Sequence, residues 1–388
     1  MKFCPNCGAE LKPTAKFCTT CGYHLPVVEA AAQPAATTQQ KIVAQPEMAP
    51  QSNPQNVTRG LYASATEKLN QFTGEQGPVK INLKDLFSQV FQKHTQDEAE
   101  EIFIAGTKTT TPALESISSD WAKPWLFSRI LAVFGIAFVA LLYMAGNLGN
   151  EKAIPGLIFV GAFAVPLSAV IFFFESNVFQ NVSLYQVAKV FFIGGVFSLL
   201  ITMILYSFVT MSVQEQIFGV MTLGDALSVG VVEEVGKLVI LLYFVSKLNI
   251  HRILNGILIG GAVGAGFAAF ETAGYIYQAS KAQLVDVAIV RAVTAIGGHL
   301  VWCAIAGGAL IIVKKANRFD YNQLLNPKFL VFFVLAVAMH ALWDYDLPVL
   351  PLYLKLLLLT VAAWLILFVL INAGLKEVTH IKNGEIPA

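Results

Sequence analysis

Eight stretches of this chain, roughly 125–145, 153–174, 187–209, 225–246, 253–278, 287–313, 329–347 and 349–372, are apolar over lengths that can cross about 30 Å of hydrocarbon. Their recurrence predicts an all-α polytopic membrane protein, a bundle of about eight transmembrane helices. Composition agrees, since 56% of the 388 residues are hydrophobic and 13% charged, where a soluble domain carries about a quarter charged. A net charge of +1 gives no electrostatic reason to expect a nucleic-acid partner. In the second stretch, Pro155 and Pro166 are candidate kinks.

Four of the five cysteines fall in the first 21 residues, as Cys4-Pro-Asn-Cys7-Gly and Cys18-Thr-Thr-Cys21-Gly. Two matched Cys-x2-Cys knuckles offer four thiolates for a structural zinc, and the matching weighs against a redox pair. A module this small has no core, so metal binding supplies its folding energy. Cys303 stands alone in an apolar run. The first 30 residues lack an apolar h-region, so the first span is expected to serve as its own insertion signal.

The chain divides into a zinc ribbon (1–25), a flexible linker (26–59), a cytosolic juxtamembrane segment (60–120), a membrane body (121–375) and a cytosolic tail (376–388). Ala, Gln, Pro, Thr and Ser dominate the linker, which buries too little apolar surface to offset ordering entropy. Within the juxtamembrane segment the spacing predicts an amphipathic helix over 82–100, with Asn82 as N-cap and Leu83, Leu86, Phe87, Val90 and Phe91 on one face. Placing both termini in the cytoplasm puts Lys123, Lys247, Arg252, Lys314, Lys315, Arg318, Lys328, Lys376 and Lys382 inside, and only Lys152 and Lys281 in outer loops. That satisfies the positive-inside rule, and the thiolate-rich ribbon suits a reducing compartment.

Ionisable residues at bilayer depth are costly and signal function by default. The fourth span carries Glu233, Glu234 and Lys237, the fifth Glu271 and Tyr275, the sixth Arg291 and His299, the seventh His340 and Asp344. At 1.5 Å per residue, Glu233 lies roughly 12 Å below the outer end of its span, Glu271 and His340 roughly 10 Å, and His299 on the order of 18 Å. Convergence on one pocket in the outer half of the bilayer explains this agreement. Lys237 can reach either glutamate from i,i+4 or i,i+3, so one acid is expected to pair with it and the other to serve as base. Asp344, four residues after His340, can fix the imidazole tautomer, and the Tyr275 hydroxyl is a candidate donor near Glu271. Taken singly, these residues have plainer readings: the Glu–Lys pair as a structural ion pair, Arg291 and Lys355 as snorkelling side chains, and Gly256, Gly260 and Gly264 as a helix-packing stripe.

At these residues the sequence resembles the PrsW family of intramembrane proteases: Glu233-Glu234-x-x-Lys237, Phe270-Glu271 through Tyr275, then His299 and His340 on the next two spans. The resemblance covers roughly 125–345 and extends distantly to type II CAAX prenyl endopeptidases. It implies cleavage of a membrane-anchored protein near the extracytoplasmic side, an anti-sigma factor in stress signalling being one described substrate. On this reading the catalytic set is Glu233, Glu234, Glu271, His299 and His340, supported by Lys237, Tyr275 and Asp344. Glu233 is the base, and the histidines either polarise the carbonyl or hold a metal with Glu271 as third ligand. Metal-dependent and glutamic mechanisms both stay open. The expected partners are a membrane-anchored substrate, the bilayer and a cytosolic protein on the zinc ribbon. Two rivals remain: a proton- or ion-coupled transporter, against which the lack of internal duplication counts, and a noncatalytic adaptor.

Replacing Cys4 and Cys7 by Ser should unfold the ribbon and release its zinc while the membrane body stays assembled. Elemental analysis and size-exclusion chromatography in detergent check this, and collapse of the whole protein would move the domain boundary.

Overall fold

The computed structural model describes residues 2–3, 10–11, 54–218, 220–315, 317–347 and 349–386. The chain forms two units, Met1–Ser52 and Asn53–Ala388. In the first unit, β1 (Lys2–Phe3) and β2 (Glu10–Leu11) pair antiparallel, Lys2 opposite Leu11. The expected zinc thiolates Cys4, Cys7, Cys18 and Cys21 and linker positions 26–53 lie outside the described residues.

The second unit opens with α1 (Pro54–Thr73), α2 (Leu83–Leu86) and α3 (Gln96–Ile104). The membrane body follows as α4 (Leu126–Leu142), α5 (Ile154–Ser176), α6 (Leu184–Lys189), α7 (Gly195–Tyr206), α8 (Val213–Phe218) and α9 (Leu223–Lys247). It continues through α10 (Ile253–Gln278), α11 (Leu284–Thr294), α12 (His299–Lys314), α13 (Pro327–Asp344) and α14 (Leu352–Lys382).

Among the described residues, seven helical segments are long and apolar enough to cross a membrane. Helix α9, expected as the fourth of eight spans, has the length at 25 residues but is not among the seven, since it carries Asp225, Glu233, Glu234 and Lys237. Two spans are interrupted within their length. A π-turn (Val190–Gly194) joins α6 to α7, and a 3-10 turn (Ala295–Gly297) breaks the sixth span just before His299. Pro166 sits inside α5 without ending it.

The helix expected over 82–100 is replaced by the four residues of α2 and a run of turns. Asn82 does cap α2, accepting from the Asp85 backbone N–H. Beyond it the Gln89 and Gln92 carbonyls turn toward His94 Nε2 (3.0 Å) and Arg129 Nη2 (2.7 Å), which ends helical continuation. Leu86 and Phe87 pack into the body, whereas Phe91 is 92% exposed. The segment's long helix is α1, which begins inside the expected linker and packs on α14.

Buried helix ends are closed by charged side chains from neighbours, acids at N-termini and lysines at C-termini, as the helix dipole favours. Glu175, near the end of α5, accepts from the backbone N–H groups of Trp125, Leu126 and Phe127 at 2.8–2.9 Å. Glu377 on α14 accepts from Ile253 N–H at 2.8 Å, at the start of α10. Lys314 donates to Ile250 C=O just beyond α9 at 2.8 Å. Lys355 was expected to snorkel; it is instead buried and donates to the carbonyls of Trp343 and Tyr345 at 2.8 and 2.7 Å, closing α13.

At the centre stands α10, packed against α5, α7, α9, α12 and α14. The glycine stripe makes this possible, because Cβ atoms on Gly256, Gly260 and Gly264 would lie 2.5, 2.2 and 2.2 Å from the carbonyl oxygens of Gly307, Cys303 and His299. Helix α12 therefore touches α10 backbone to backbone. Gly260→Val should push the pair apart at a cost of about 3 kcal/mol or more. That loss is read as a lower thermal midpoint in detergent; an unchanged midpoint would show that the contact tolerates side chains.

Candidate active site

The same close contacts aim the ionisable residues. On α10, Glu271 lies seven residues past Gly264, on the face that meets α12. His299, released from the broken span, opens α12 with its own carbonyl against Gly264 and places Nε2 3.0 Å from Glu271 Oε2. Gly230 and Gly236 do the same for α9: the first faces the α13 backbone at Val337 and Ala341, the second abuts Thr202 on α7. These registers bring Glu233 and Glu234 between α7 and α13.

The outcome is one connected cluster. Lys237 and Glu234, 0% and 1% exposed, pair at 2.6 Å. Lys237 Nζ also lies 2.8 Å from His299 Nδ1, so that nitrogen accepts and Nε2–H donates to Glu271. His340 Nδ1 stands 2.8 Å from Glu234 Oε1. Its Nε2 faces two carboxylates, Asp344 Oδ2 at 3.3 Å and Glu233 Oε2 at 3.6 Å. Two acceptors converging on one nitrogen call for a positive charge there, either the ring's second proton or a bound cation. Glu233 Oε1 accepts from the Tyr206 hydroxyl at 2.8 Å, while Oε2 is buried without a hydrogen-bond partner.

Glu233, His299 and His340 offer one ligand atom each within 4.8 Å of one another. Two separations, Glu233 Oε2 to His299 Nδ1 at 4.0 Å and to His340 Nε2 at 3.6 Å, approach the roughly 3.3 Å between neighbouring donors on tetrahedral zinc. On each imidazole the opposite nitrogen meets a carboxylate, Glu271 or Glu234, as in carboxylate–histidine–metal arrangements. With the orphaned Oε2 these features fit a divalent metal, provided Lys237 Nζ, 2.8 Å from His299 Nδ1, yields that nitrogen to the ion. Glu271, expected as third ligand, engages His299 Nε2 and Arg291 instead.

Arg291, expected to snorkel, turns inward and pairs with Glu271, its guanidinium 4.2 Å above the Tyr275 ring. Tyr275 is 53% exposed and contributes that ring face; no hydroxyl bond to Glu271 forms among the described residues. Tyr206, at the C-terminal end of a span whose one charged residue is the distant Lys189, could not be foreseen from the sequence. Trp302 and Phe267 were also missed, although each shares a helix face with a site residue, as i+3 from His299 and i−4 from Glu271. Trp302 stacks on His340 at 4.6 Å, and Phe267 lies 4.5 Å from Lys237 Nζ. A cavity of about 30 Å³ beside His299, lined by Thr272, Arg291, Trp302 and Trp343, has room for a water molecule.

Acids and imidazoles from α9, α10, α12 and α13 thus meet in one buried cluster beside a water-sized cavity, an arrangement suited to hydrolysis inside a bilayer. Residues 183–372 match the family described as PrsW family intramembrane metalloprotease, and residues 3–25 match a zinc-ribbon domain. The chain carries a PrsW-family protease domain behind a zinc ribbon and is an intramembrane protease, which sets aside the transporter and adaptor readings. No curated protein and no solved structure matches it.

If the cluster binds metal, a chain with all four ribbon cysteines replaced by Ser should still purify with zinc. Adding His340→Ala should then release it, as elemental analysis would report. Metal content unaffected by His340→Ala would place the ion elsewhere.

Proposed function

We propose that this protease hydrolyses a peptide bond of a membrane-anchored protein near the extracytoplasmic side of the bilayer, with Glu233 as general base. The observation that carries the assignment is Glu233 Oε2, buried and unpartnered, 3.6 Å from one imidazole and 4.0 Å from the other. Support for the sidedness comes from the lysine and arginine distribution, which assigns both termini to the cytoplasm. Glu271 and His340 then fall toward the opposite ends of their helices.

Glu233 takes a proton from the attacking water as the water oxygen bonds to the scissile carbonyl carbon. It returns that proton to the departing amide nitrogen as the C–N bond breaks, leaving a carboxylic acid and an amine. His340 Nε2 faces the developing oxyanion and Glu234 holds its ring, while His299, its one N–H given to Glu271, acts only as a holder of the metal. Lys237 pairs with Glu234, and Asp344 supports His340 Nε2. Tyr206 holds Glu233 by Oε1, which turns Oε2 into the site. His299 and His340 would hold a zinc ion here, with Glu233 Oε2 left to the water as base, and such an ion supplies Lewis acidity toward the water and the carbonyl.

An anti-sigma factor with a single membrane span fits this substrate class, and the zinc ribbon is suited to recruiting a cytosolic partner. Glu233→Gln should lower cleavage of single-span substrates by about 10³-fold with folding intact; undiminished cleavage would eliminate the assignment. Tyr206→Phe should lower kcat about tenfold with little change in KM, the effect of freeing Oε1 of a charged acceptor. A change confined to KM would assign Tyr206 to substrate binding instead.

A further inference from the structure

The ends of α10, α12, α13 and α14 on the side that carries α1 enclose a cavity of about 520 Å³. That volume lies in the range of small-ligand sites, and the catalytic cluster takes no part in it. Its floor is apolar, formed by Ile253, Ile311, Ile312 and Ala373, and its rim is charged.

Balancing the rim charges shows what the cavity would accept. Glu377 is met by Arg252 Nη1 at 3.6 Å and by the Ile253 N–H. Glu75 is met by Lys376 at 3.3 Å and by His380 Nε2 at 3.0 Å, and Glu385 by His380 Nδ1. Every carboxylate on the rim is thus matched by the protein. Lys315 and Lys328 are not, since neither forms an ion pair among the described residues.

Both lysines are held at this rim by their backbone. Lys328 lies in the first turn of α13, with Nζ 3.3 Å from where a Cβ on Gly74 would stand, a position that glycine leaves open. Lys315 ends α12 at φ +50, a conformation that costs a non-glycine residue free energy and is kept where the surroundings require it.

We propose that this cavity binds the phosphate-bearing headgroup of an anionic phospholipid, Lys315 and Lys328 taking the phosphate and the isoleucine floor the start of an acyl chain. Two unmatched ammonium groups above an apolar floor, where membrane helices end, match such an amphiphile better than a free anion, which has no use for the floor. The occupant would bridge the segment after α1, through Gly74 and Glu75, to the helices bearing Glu271, His299 and His340. Binding would therefore stabilise the whole body.

The test uses delipidated full-length protein in a neutral detergent. Short-chain phosphatidylglycerol should raise the thermal midpoint by about 5 °C, and phosphatidylcholine of equal chain length should not. The Lys315→Gln, Lys328→Gln double variant should keep the lipid-free midpoint and bind phosphatidylglycerol about 25-fold more weakly, about fivefold per lysine. Each single variant should show about half of that loss on a logarithmic scale. An equal response to both lipids, or full affinity in the double variant, would overturn the site. Stabilisation by inorganic phosphate alone, with no further gain from lipid, would overturn the lipid assignment.

Discussion

The buried ammonium of Lys237 is the constraint on which the membrane body depends. An isolated charge in a low-dielectric interior costs far more than any packing contact returns, so its partners must be supplied by the fold. Glu234 supplies one and His299 Nδ1 the other, while Glu234 also holds His340. One cation thereby joins α9, α12 and α13, and through His299 it reaches Glu271 on α10. Removing one member would strand the rest, at a penalty of about 3–5 kcal/mol for each uncompensated charge. The same neutralisation that permits burial also fixes ring orientations, so stability and chemistry use one network.

Glycines set where that network can form. The spacing of Gly256, Gly260 and Gly264 allows α10 and α12 to meet backbone to backbone, which brings His299 within reach of Glu271. Gly236 lets Thr202 of α7 press against α9, and one turn further along α7 the Tyr206 hydroxyl arrives at Glu233. These approaches are short and stiff, so the acid and imidazole groups are held to within a hydrogen-bond length without a flexible loop among them. Charged caps from neighbouring helices, such as Glu175 on α4 and Lys355 on α13, tie the helix ends in the same cooperative manner.

Within the cluster the carboxylates have distinct tasks set by their surroundings. Glu234 and Glu271 each meet a cation and an imidazole and have little left to offer a substrate. Glu233 keeps one oxygen unpartnered. Adjacent residues on a helix point about 100° apart, so a Glu-Glu pair divides without strain into a supporting and a reactive member.

The sequence by itself determined the all-α membrane architecture, most span limits and the acids and histidines of the site, because hydrocarbon admits long apolar helices and penalises every unexplained charge. The zinc ribbon was legible from its knuckles for a similar reason: four thiolates at that spacing have few other uses. Tertiary structure alone decided which atom meets which. Arg291 and Lys355 looked free to snorkel until a carboxylate and two carbonyls on other helices claimed them. Tyr206 carried no sign at all, since a tyrosine ending an apolar span is ordinary until a neighbouring helix brings a glutamate beneath it. The short α2 also depended on a distant partner, Arg129. Local sequence records what a residue must avoid, namely lipid, and the packing of other helices supplies what it meets instead.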